Sequence, residues 1–442
     1  MFYNKSIETL PRRKLRKLQN ERLVALVNRL YKKVPFYKKQ LDEAGIKPSK
    51  IKGVKDLHKL PFTKKTDLRD NYPFDLFAVP QNQVVRIHAS SGTTGKPTVV
   101  GYNRKDLRIF DEVVARSLVA AGAKKGMKLH NAYGYGLFTG GLGMHGGATK
   151  LGMAVIPVSG GMTDRQLMIL QDFKPEVICC TPSYAQTLAE ECTKRGIDTN
   201  DLAVKYAILG AEPWTETIRS QVEAGLNVTA TNIYGLSEII GPGVSQEDFE
   251  EKGTGSYVWE DHFFPEIVDK DSGEPLPLGE EGVLVFTTLT KGAMPLLRYW
   301  TNDICSLHYD KGAKRTHVKM SSIKGRADDM LIIRGVNLFH TQVEVLLEDI
   351  PNLAPCYQLI VTRKKTMDEV KLEVEVAPEV SQKLGGRGFQ KKDLIVKLTN
   401  QLSRKIKNNI GLSMQVELKE FGKIPRSVGG KLSRIKDLRK LK

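Results

Sequence analysis

Residues 90–97, SSGTTGKP, combine small hydroxyl-bearing side chains, two glycines and a lysine in one short run. The glycines would let backbone N–H groups point at an anion, the hydroxyls would add donors, and the lysine would add a positive charge. The run follows an apolar, strand-like stretch, which disfavours the alternative of a flexible surface turn. We therefore predict a phosphate-binding loop formed by Ser90, Ser91, Gly92, Thr93, Thr94, Gly95 and Lys96.

This loop differs from the P-loop of nucleoside triphosphatases, which requires G-x-x-x-x-G-K followed by Ser or Thr. Ser90 stands where that pattern has its first glycine, and Pro97 stands where it has a magnesium-binding hydroxyl. The triphosphatase interpretation therefore fails at two positions, while the anion-binding chemistry of the loop is unaffected.

The surrounding pattern predicts the elements that must position this loop. Up to residue 235, short apolar runs such as EVICCTPS alternate with helical patterns such as SYAQTLAEECTKRG, which is typical of a parallel sheet covered by helices. After residue 255 strands and turns dominate, and from residue 326 strands and helices mix again. We predict a large N-terminal α/β domain with parallel sheets and a β-rich subdomain (1–327), and a small C-terminal α+β domain (328–442). Residues 1–50 read as basic amphipathic helix.

The composition is that of a globular protein with anionic partners. The 442 residues carry a net charge of +18, which favours nucleic acid, an anionic membrane or phosphorylated small molecules as partners. The five cysteines are few and scattered, which argues against a disulfide framework and for a reducing compartment, the cytoplasm. No leader-like or membrane-spanning apolar run is visible, so we expect neither a signal peptide nor a membrane partner.

Six further segments, taken together with SSGTTGKP, resemble the adenylate-forming superfamily and in particular the phenylacetate–CoA ligase family. They occur in that family's order: LPFTKKTDLRDNYPF (60–74), NAYGYGLFTGGLG (131–143), IPVSGG (156–161), NIYGLSEIIGPGV (232–244), VWEDHFFPEI (258–267) and IKGRADDMLIIRGVN (323–337). The resemblance implies two half-reactions. A carboxylic acid and ATP form an acyl-adenylate and pyrophosphate, and coenzyme A then forms a thioester. The implied cofactors are ATP, Mg²⁺ and coenzyme A.

The resemblance also implies roles around the nucleotide. The glycine loop would hold the β- and γ-phosphates, Ser237 would contact the α-phosphate, and Glu238 would hold Mg²⁺ and act with Ser237 in catalysis. The alternative for Glu238 is a solvated acid at a helix start. The other implied nucleotide contacts are Glu212 in the adenine-site loop, Tyr234 and Gly235 against the adenine, Asp303 on the ribose hydroxyls, and Arg326 on the ribose or phosphates.

Two residues of the C-terminal region complete the implied machinery. Asp328 matches the family hinge, about which the small domain would rotate between half-reactions, so we expect that domain to be mobile. Lys431, in IPRSVGGKLSRIKDLR, matches the catalytic lysine of the family, although this ending carries one extra residue. The alternative for Lys431 is a generic basic tail.

The implied acid pocket is a flat apolar slot that could accept an aryl ring. It would be formed by Tyr135, Phe138, Ile240 and Pro242. Ordinary core packing is the alternative for Phe138 and Ile240.

The chain departs from its relatives at several positions. Trp300 and Asn302 stand where relatives have arginines, and His340 stands where they have proline. The cysteines of the zinc site that some relatives carry are absent here, so we expect no structural zinc. Residual ligand candidates are Cys305, His308, His317 and His262, but their spacing matches no zinc pattern.

Three functional interpretations follow. The favoured one is an AMP-forming ligase that converts an aryl acid such as phenylacetate into its CoA thioester, using only small-molecule partners; the sequence is also compatible with a homodimer. The second is an adenylating enzyme for a different acid or acceptor, such as a deazaflavin coenzyme. The third, a protein that binds nucleic acid through its basic ends, is disfavoured because the basic tail has few aromatic residues.

Overall fold

The computed structural model describes residues 1–90, 97–327, 331–333, 336–338, 340–364, 367–426 and 434–439. Within these residues, buried apolar side chains form three clusters between Leu23 and Met320, and a separate cluster between Leu331 and Leu418. The chain thus has a large α/β body followed by a small α+β body, which is the architecture that the sequence predicts. The position of the boundary at 327/328 stays a prediction.

The N-terminal region is helical, as predicted, with interruptions at Pro11 and Pro35. Its helices are α1 (Lys5–Glu8), α2 (Arg12–Lys33), α3 (Pro35–Glu43) and α4 (Lys65–Asp70). The side chains of Leu23, Val27 and Leu30 lie on one face of α2 and are fully buried in the large core. Short 3₁₀ turns occur at Pro48–Lys50, Val54–Lys59, Gln81–Gln83, Thr199–Asp201 and Phe389–Lys391.

A hairpin brackets the predicted phosphate-binding loop. Strand β1 (Arg86–Ser90) pairs antiparallel with β2 (Thr98–Tyr102), and Ser90 lies opposite Thr98. Residues 91–96 lie outside the described residues, so the loop itself stays a prediction, but the two strands fix where it leaves and rejoins the sheet.

The principal sheet has the predicted parallel half. Its parallel strands are β3 (Lys128–Asn131), β4 (Ala154–Ile156), β5 (Val177–Cys180), β6 (Tyr206–Gly210) and β7 (Thr229–Leu236). The accompanying helices are α5 (Arg104–Ala120), α6 (Gly140–Leu151), α7 (Thr163–Phe173), α8 (Pro182–Lys194) and α9 (Glu216–Leu226). Because β3, β5, β6 and β7 are neighbours in the sheet, the residues that follow them meet at one edge, where ligands of parallel α/β sheets bind.

Helix α6 is one of the elements that the sequence patterns did not predict, and its sequence is rich in glycine. A side chain at Gly143 would collide with the ring of Phe110, and one at Gly147 would collide with Val114. The glycines of α6 therefore allow close packing against α5, which outweighs their low helix propensity.

Antiparallel strands form the predicted β-rich region. The principal sheet continues through β8 (Gly241–Glu247) and β9 (Ser256–Val258), and ends with β13 (Leu307–His308) beyond β14 (Lys319–Met320). A second, antiparallel sheet has the order β10 (Phe263–Val268), β11 (Gly282–Thr288), β12 (Tyr299–Cys305) and β15 (Gly325–Arg326). Asp303 of β12 pairs with Arg326 of β15, so the sheet register brings together two residues that the sequence analysis singled out.

The small body is a mixed sheet packed against helices. The sheet order is β20 (Gln415–Lys419), β19 (Met367–Val376), β18 (Leu353–Lys364) and β21 (Ile435–Asp437). A short hairpin, β16 (Leu331–Ile333) with β17 (Val336–Leu338), precedes it, and the helices are α10 (His340–Glu348), α11 (Pro378–Leu384) and α12 (Asp393–Ile410). Among the described residues of both bodies, no helix is long and apolar enough to cross a bilayer.

Candidate active site

The turn after β7 carries Ser237 and Glu238, and hydrogen bonds hold it from two sides. The hydroxyl of Tyr102 donates to the carbonyl of Ile240 at 2.9 Å and lies 3.3 Å from the carbonyl of Ser237. The hydroxyls of Ser237 and Thr139 lie 3.1 Å apart. The turn is thus fastened both to the strand that follows the predicted phosphate-binding loop and to the segment before α6.

The Glu238 carboxylate is buried beside a lysine and a tyrosine. Lys65 of α4 lies 3.9 Å from it, and burial together with the Glu238 carboxylate raises the pKa of Tyr299 well above its usual value. Mg²⁺ typically takes one or two carboxylates and fills its other positions with phosphate oxygens and water. Among the described residues there is no group of three or more His, Cys, Asp and Glu side chains arranged to hold a metal, and the role of Glu238 toward Mg²⁺ stays a prediction.

Lys291 is a residue of this site that sequence reasoning missed. Its side chain is buried, and its ammonium donates to the carbonyl of Glu238 at 3.0 Å. Burial lowers the pKa of Lys291 to about 8, although the negative charges of Asp106 and Glu238 act in the opposite direction. The carboxylate of Asp106 accepts from the N–H groups of Gly292 and Ala293, which fixes the backbone beside this lysine.

Three residues predicted to contact the nucleotide form one cluster. The hydroxyl of Tyr234 donates to Asp303 Oδ2 at 2.6 Å, and Arg326 Nη1 lies 3.7 Å from Asp303 Oδ1. Burial, together with the adjacent Asp303 carboxylate, raises the pKa of Tyr234 well above its usual value, so the phenol stays a donor. An acidic side chain held between a phenol and a guanidinium, at the end of the parallel strands, is in a position suited to a ribose.

Glu212 and Gly235 lie at the same edge of the sheet. Glu212 follows β6 and accepts a hydrogen bond from the N–H of Ser183 at 3.2 Å. Gly235 lies at an irregularity in the pairing of β7 with β8, where a side chain would collide with the carbonyl of Gly241. Only glycine therefore allows the two strands to approach this closely beside the turn.

The four residues of the predicted acid pocket lie on two adjacent segments. Tyr135 and Phe138 belong to the segment between β3 and α6, Ile240 belongs to the connection between β7 and β8, and Pro242 is the second residue of β8. The side chain of Phe138 is 52% exposed, so the core-packing alternative is wrong for this residue, whereas Ile240 is buried. The role of these residues in acid binding stays a prediction.

Two polar side chains, those of Asn131 and His145, contact the hydroxyl of Tyr135 in this predicted pocket. The amide of Asn131 donates to the hydroxyl of Tyr135 at 2.7 Å, and the imidazole of His145 lies 3.2 Å from the same hydroxyl. Burial raises the pKa of Tyr135 to about 12, so its hydroxyl remains neutral at physiological pH. Sequence reasoning missed Asn131 and His145, because neither residue type signals a partner four or ten residues away.

Asp328 and Lys431 lie outside the described residues, but the chain on both sides of 427–433 is anchored. Arg426 Nη2 lies 2.8 Å from Glu375 Oε2 in the small body, and Arg426 Nε lies 3.6 Å from Glu190 on α8 of the large body. On the other side, Arg434 Nε lies 3.4 Å from Glu344. A cavity of about 300 Å³ separates α8 and α9 from the small body beside these contacts.

The departures from the family pattern have local partners. The indole N–H of Trp300 donates to Asn302 Oδ1 at 2.8 Å, and Asn302 has a positive φ of 68°. His340 contacts the hydroxyl of Tyr357, and burial lowers the pKa of His340 to about 4. Trp300 and Asn302 are both uncharged, so neither supplies the positive charge that the family pattern has at these two positions.

The four residual zinc-ligand candidates are separate from one another and have other partners. Cys305 is buried, and His308 contacts the carbonyl of Thr254 at 2.9 Å. His317 Nδ1 accepts from the N–H of Glu260 at 2.9 Å. His262 contacts the hydroxyl of Thr290 at 2.7 Å.

Comparison with family models and relatives agrees with this geometry. Residues 11–294 match the AMP-binding enzyme family, and residues 335–439 match the AMP-binding enzyme C-terminal domain. A phenylacetate-coenzyme A ligase of Thermus thermophilus is 61% identical over 100% of both chains. One of Escherichia coli is 48% identical over 98% of this chain and 97% of its own length.

Solved structures of a 2-hydroxyisobutyryl-CoA ligase match the whole chain at 26% identity. The form in the postadenylation state, in complex with 2-HIB-AMP, has a TM-score of 0.89 over 98% of this chain and 91% of its own. The form with 2-HIB-AMP and CoA in the thioesterification state has a TM-score of 0.72 over 98% and 92%. The chain belongs to the AMP-binding enzyme family, alongside the phenylacetate-coenzyme A ligases that it resembles along its whole length.

Proposed function

We propose that the chain is an ATP-dependent, AMP-forming acid–CoA ligase that activates phenylacetate to its acyl-adenylate and then to its CoA thioester. One observation carries this proposal. The Ser237–Glu238 turn, the Tyr234–Asp303–Arg326 cluster and the segment before α6 are joined along the end of β7, in a chain 61% identical throughout to a phenylacetate-coenzyme A ligase. Nucleotide and acid contacts are therefore adjacent, as a reaction between an acid and an α-phosphate requires.

In the first half-reaction, the residues must overcome the repulsion between a carboxylate and a polyphosphate. We assign the β- and γ-phosphates to the loop at 90–96, the α-phosphate to the Ser237 hydroxyl and the ribose to Asp303. Mg²⁺ bound at Glu238 would neutralise phosphate charge. Lys431 would add a further positive charge as pyrophosphate leaves.

In the second half-reaction, the small domain must change its orientation so that coenzyme A can reach the adenylate. We assign residues 1–327 and 328–442 to the two domains and Asp328 to the hinge between them. The contact of Arg426 with Glu190 joins the bodies in the present orientation. At 3.6 Å and only partly buried, this ion pair is weak enough to be broken in each cycle.

The proposed working environment follows from chemistry already described. Five free cysteines, four of them buried, suit a reducing cytoplasm. The substrates are small molecules, and the proposal requires neither nucleic acid nor a membrane. A homodimer is compatible with it but is not needed to complete the site.

A panel of acids tests the proposed substrate class. Pyrophosphate release should be fastest with phenylacetate and related aryl acids, because the predicted acid pocket contains the apolar side chains of Phe138, which is exposed, and Ile240, which is buried. Glu238→Gln should abolish release with every acid, whereas Glu280→Gln, at an exposed position, should not change it. If short aliphatic acids react faster than every aryl acid, the proposed substrate is wrong although the ligase class stands.

The acceptor is tested in the same reactions with and without coenzyme A. Multiple-turnover AMP release should depend on coenzyme A and match the thioester formed mole for mole. Rapid AMP release without coenzyme A, or its stimulation by another nucleophile alone, would favour the alternative of an adenylating enzyme with a different acceptor.

A further inference from the structure

The stretch 134–139, which leads into α6, is held by hydrogen bonds of both its backbone and its side chains. We call it the acid loop because it contains two residues of the predicted acid pocket. The side chains of Leu137 and Phe138 are 65% and 52% exposed. An exposed apolar side chain contributes little to the position of its own backbone, so hydrogen bonds must determine where this loop lies.

A single carbonyl of the acid loop receives two donors from β1. The N–H of Ala89 donates to the carbonyl of Leu137 at 3.0 Å, and His88 Nδ1 lies 2.9 Å from the same oxygen. Because a carbonyl can only accept, His88 carries a proton on Nδ1. The imidazole is 1% exposed and lies edge-on to the ring of Tyr102, which limits its orientation.

His88 therefore connects the acid loop to the nucleotide side of the site. It lies two residues before Ser90, where β1 enters the predicted phosphate-binding loop. Thr139 follows Leu137 by two residues in the acid loop, and its hydroxyl contacts the hydroxyl of Ser237. The loop is thus fastened to both segments that are assigned to phosphate contacts, once through an imidazole and once through a hydroxyl.

We propose that His88 is a positioning residue that fixes the acid loop against the strand entering the phosphate-binding loop, and so holds the acid in register with the α-phosphate. This inference rests on the proposed function, since it assigns acid and phosphate to these segments. Adenylation requires the carboxylate and the phosphorus to approach with little freedom, and a misplacement of about 1 Å can lower a rate by about 100-fold.

Two substitutions of His88 separate a positioning role from simple packing. Asn carries an amide nitrogen at the same number of bonds from Cα as Nδ1, so His88→Asn keeps a donor for the Leu137 carbonyl. Leu fills a similar volume without a donor. We expect His88→Leu to raise the KM for the acid by about ten-fold or more in pyrophosphate release, with the KM for ATP changed by less than about two-fold. His88→Asn should stay within about three-fold of the wild type for both.

His308→Leu is the matched control, because His308 also contacts a backbone carbonyl, that of Thr254, away from the acid loop. It should leave both KM values unchanged. Circular dichroism melts of all variants identify any that fail to fold. The inference is overturned if His88→Leu keeps a normal KM for the acid, if His88→Asn loses as much as His88→Leu, or if both KM values rise together. If the wild type itself activates no aryl acid, the proposed function fails instead.

Discussion

Two buried cations, Arg315 and Lys291, show how differently the same protein uses positive charge. The guanidinium of Arg315, before β14, lies 2.7 Å from Glu8 Oε2 and also pairs with Asp248, with all three side chains fully buried. It further donates to the carbonyl of Met1 at 2.6 Å. Its charge is thus met by two carboxylates and a carbonyl, and it fastens the first residues of the chain to the large body.

Lys291 is equally enclosed but is not paired in this way. Among the described residues it donates to one backbone carbonyl, that of Glu238, and lies 4.9 Å above the ring of Tyr102, without an ion pair to a carboxylate. The nearby Asp106 carboxylate is occupied by backbone N–H groups. Consistently, burial lowers the pKa of Lys291.

The difference separates charge that stabilises the fold from charge that is available to a ligand. A buried cation with a full set of anionic partners can contribute to folding, and removing it leaves buried anions unpaired. A buried cation without such partners costs stability, and such groups concentrate at functional sites. Arg315 fits the first case, and Lys291, directly behind the turn of Ser237 and Glu238, fits the second.

The largest expected effect is on stability, from Arg315→Met. Methionine keeps part of the volume but removes the ion pairs of Arg315 with the buried carboxylates of Glu8 and Asp248, and Asp248 keeps only the longer contact with Lys314, at 3.8 Å. The free energy of unfolding should therefore fall by about 3–5 kcal/mol. Guanidinium denaturation measures this change. The rate of adenylation per folded molecule should stay the same, because none of the three residues lies at the site.

Lys314→Met is the matched control for Arg315→Met. The neighbouring lysine is one-third exposed, pairs with Glu250 and lies 3.8 Å from Asp248. Its loss leaves the contact of Arg315 with Asp248 in place, so it should cost about 0–1 kcal/mol. If Arg315→Met unfolds at the same denaturant concentration as Lys314→Met, the ion pairs of Arg315 do not stabilise the fold, and the proposed contrast between Arg315 and Lys291 is wrong for Arg315.

Lys431 is the third cation of the comparison; it lies outside the described residues, in the stretch of chain between Arg426 and Arg434. Lys431→Ala should lower adenylation by about 10²–10³-fold, because it removes a charge that balances the departing pyrophosphate. Thioester formation from supplied acyl-adenylate should be spared. Stopped-flow measurement of each half-reaction checks both statements.

Lys423→Ala, at an exposed position of the same basic tail, should affect neither half-reaction. An equal loss of both half-reactions in Lys431→Ala would contradict the assignment of the catalytic lysine and would favour the generic basic tail.

Much of the fold and part of the site could be predicted because the signals are local. The strand and helix patterns predicted β5, β6 and β7 and the helix α8 between β5 and β6, but not α9 between β6 and β7. The motif strings predicted the segments that contain Tyr234, Ser237 and Asp303, and the structure brings these segments together at one edge of the sheet. What those side chains bind stays a prediction, since a motif specifies a place on the chain and not a ligand.

The residues that sequence reasoning missed act through distant partners. His88 reaches a carbonyl 49 positions away, and Lys291 reaches one 53 positions away. Neither contact has a periodicity or spacing that a single sequence reveals. Only the burial of a charged residue identifies Lys291, and burial depends on the tertiary structure.

The expectation that the chain has no structural zinc concerns residues 310–317, and two buried cationic side chains, Arg315 and Lys319, lie in or next to this segment. The segment at 310–317, where some relatives have zinc-binding cysteines, precedes Lys319, whose ammonium lies 2.7 Å from Asp310 and 2.9 Å from Glu251. Together with Arg315, this lysine places positive charge among acidic side chains there. In this region, therefore, Arg315 and Lys319 form ion pairs with Asp248 and Glu251, which lie in an earlier segment of the chain.

The smallest expected effect, and the sharpest test of the comparison, comes from Lys291→Met. Without the ammonium, the carbonyl of Glu238 loses its donor and the turn loses a positive charge, so adenylation should fall by about 10–100-fold. The free energy of unfolding should change by less than about 1 kcal/mol, because the lowered pKa of Lys291 indicates that its charged form is costly when buried. Initial rates of pyrophosphate release and guanidinium denaturation measure the two quantities on the same preparation.

Lys319→Met is the counterpart, since Lys319 is as buried as Lys291 but has two carboxylate partners. It should lose stability and keep its rate per folded molecule, the reverse of Lys291→Met. If both variants lose stability equally and keep their rates, buried cations in this protein have a single, structural role. If Lys291→Met alone loses activity at nearly unchanged stability, the missing carboxylate partner distinguishes a functional cation from a structural one, because burial is the same in both.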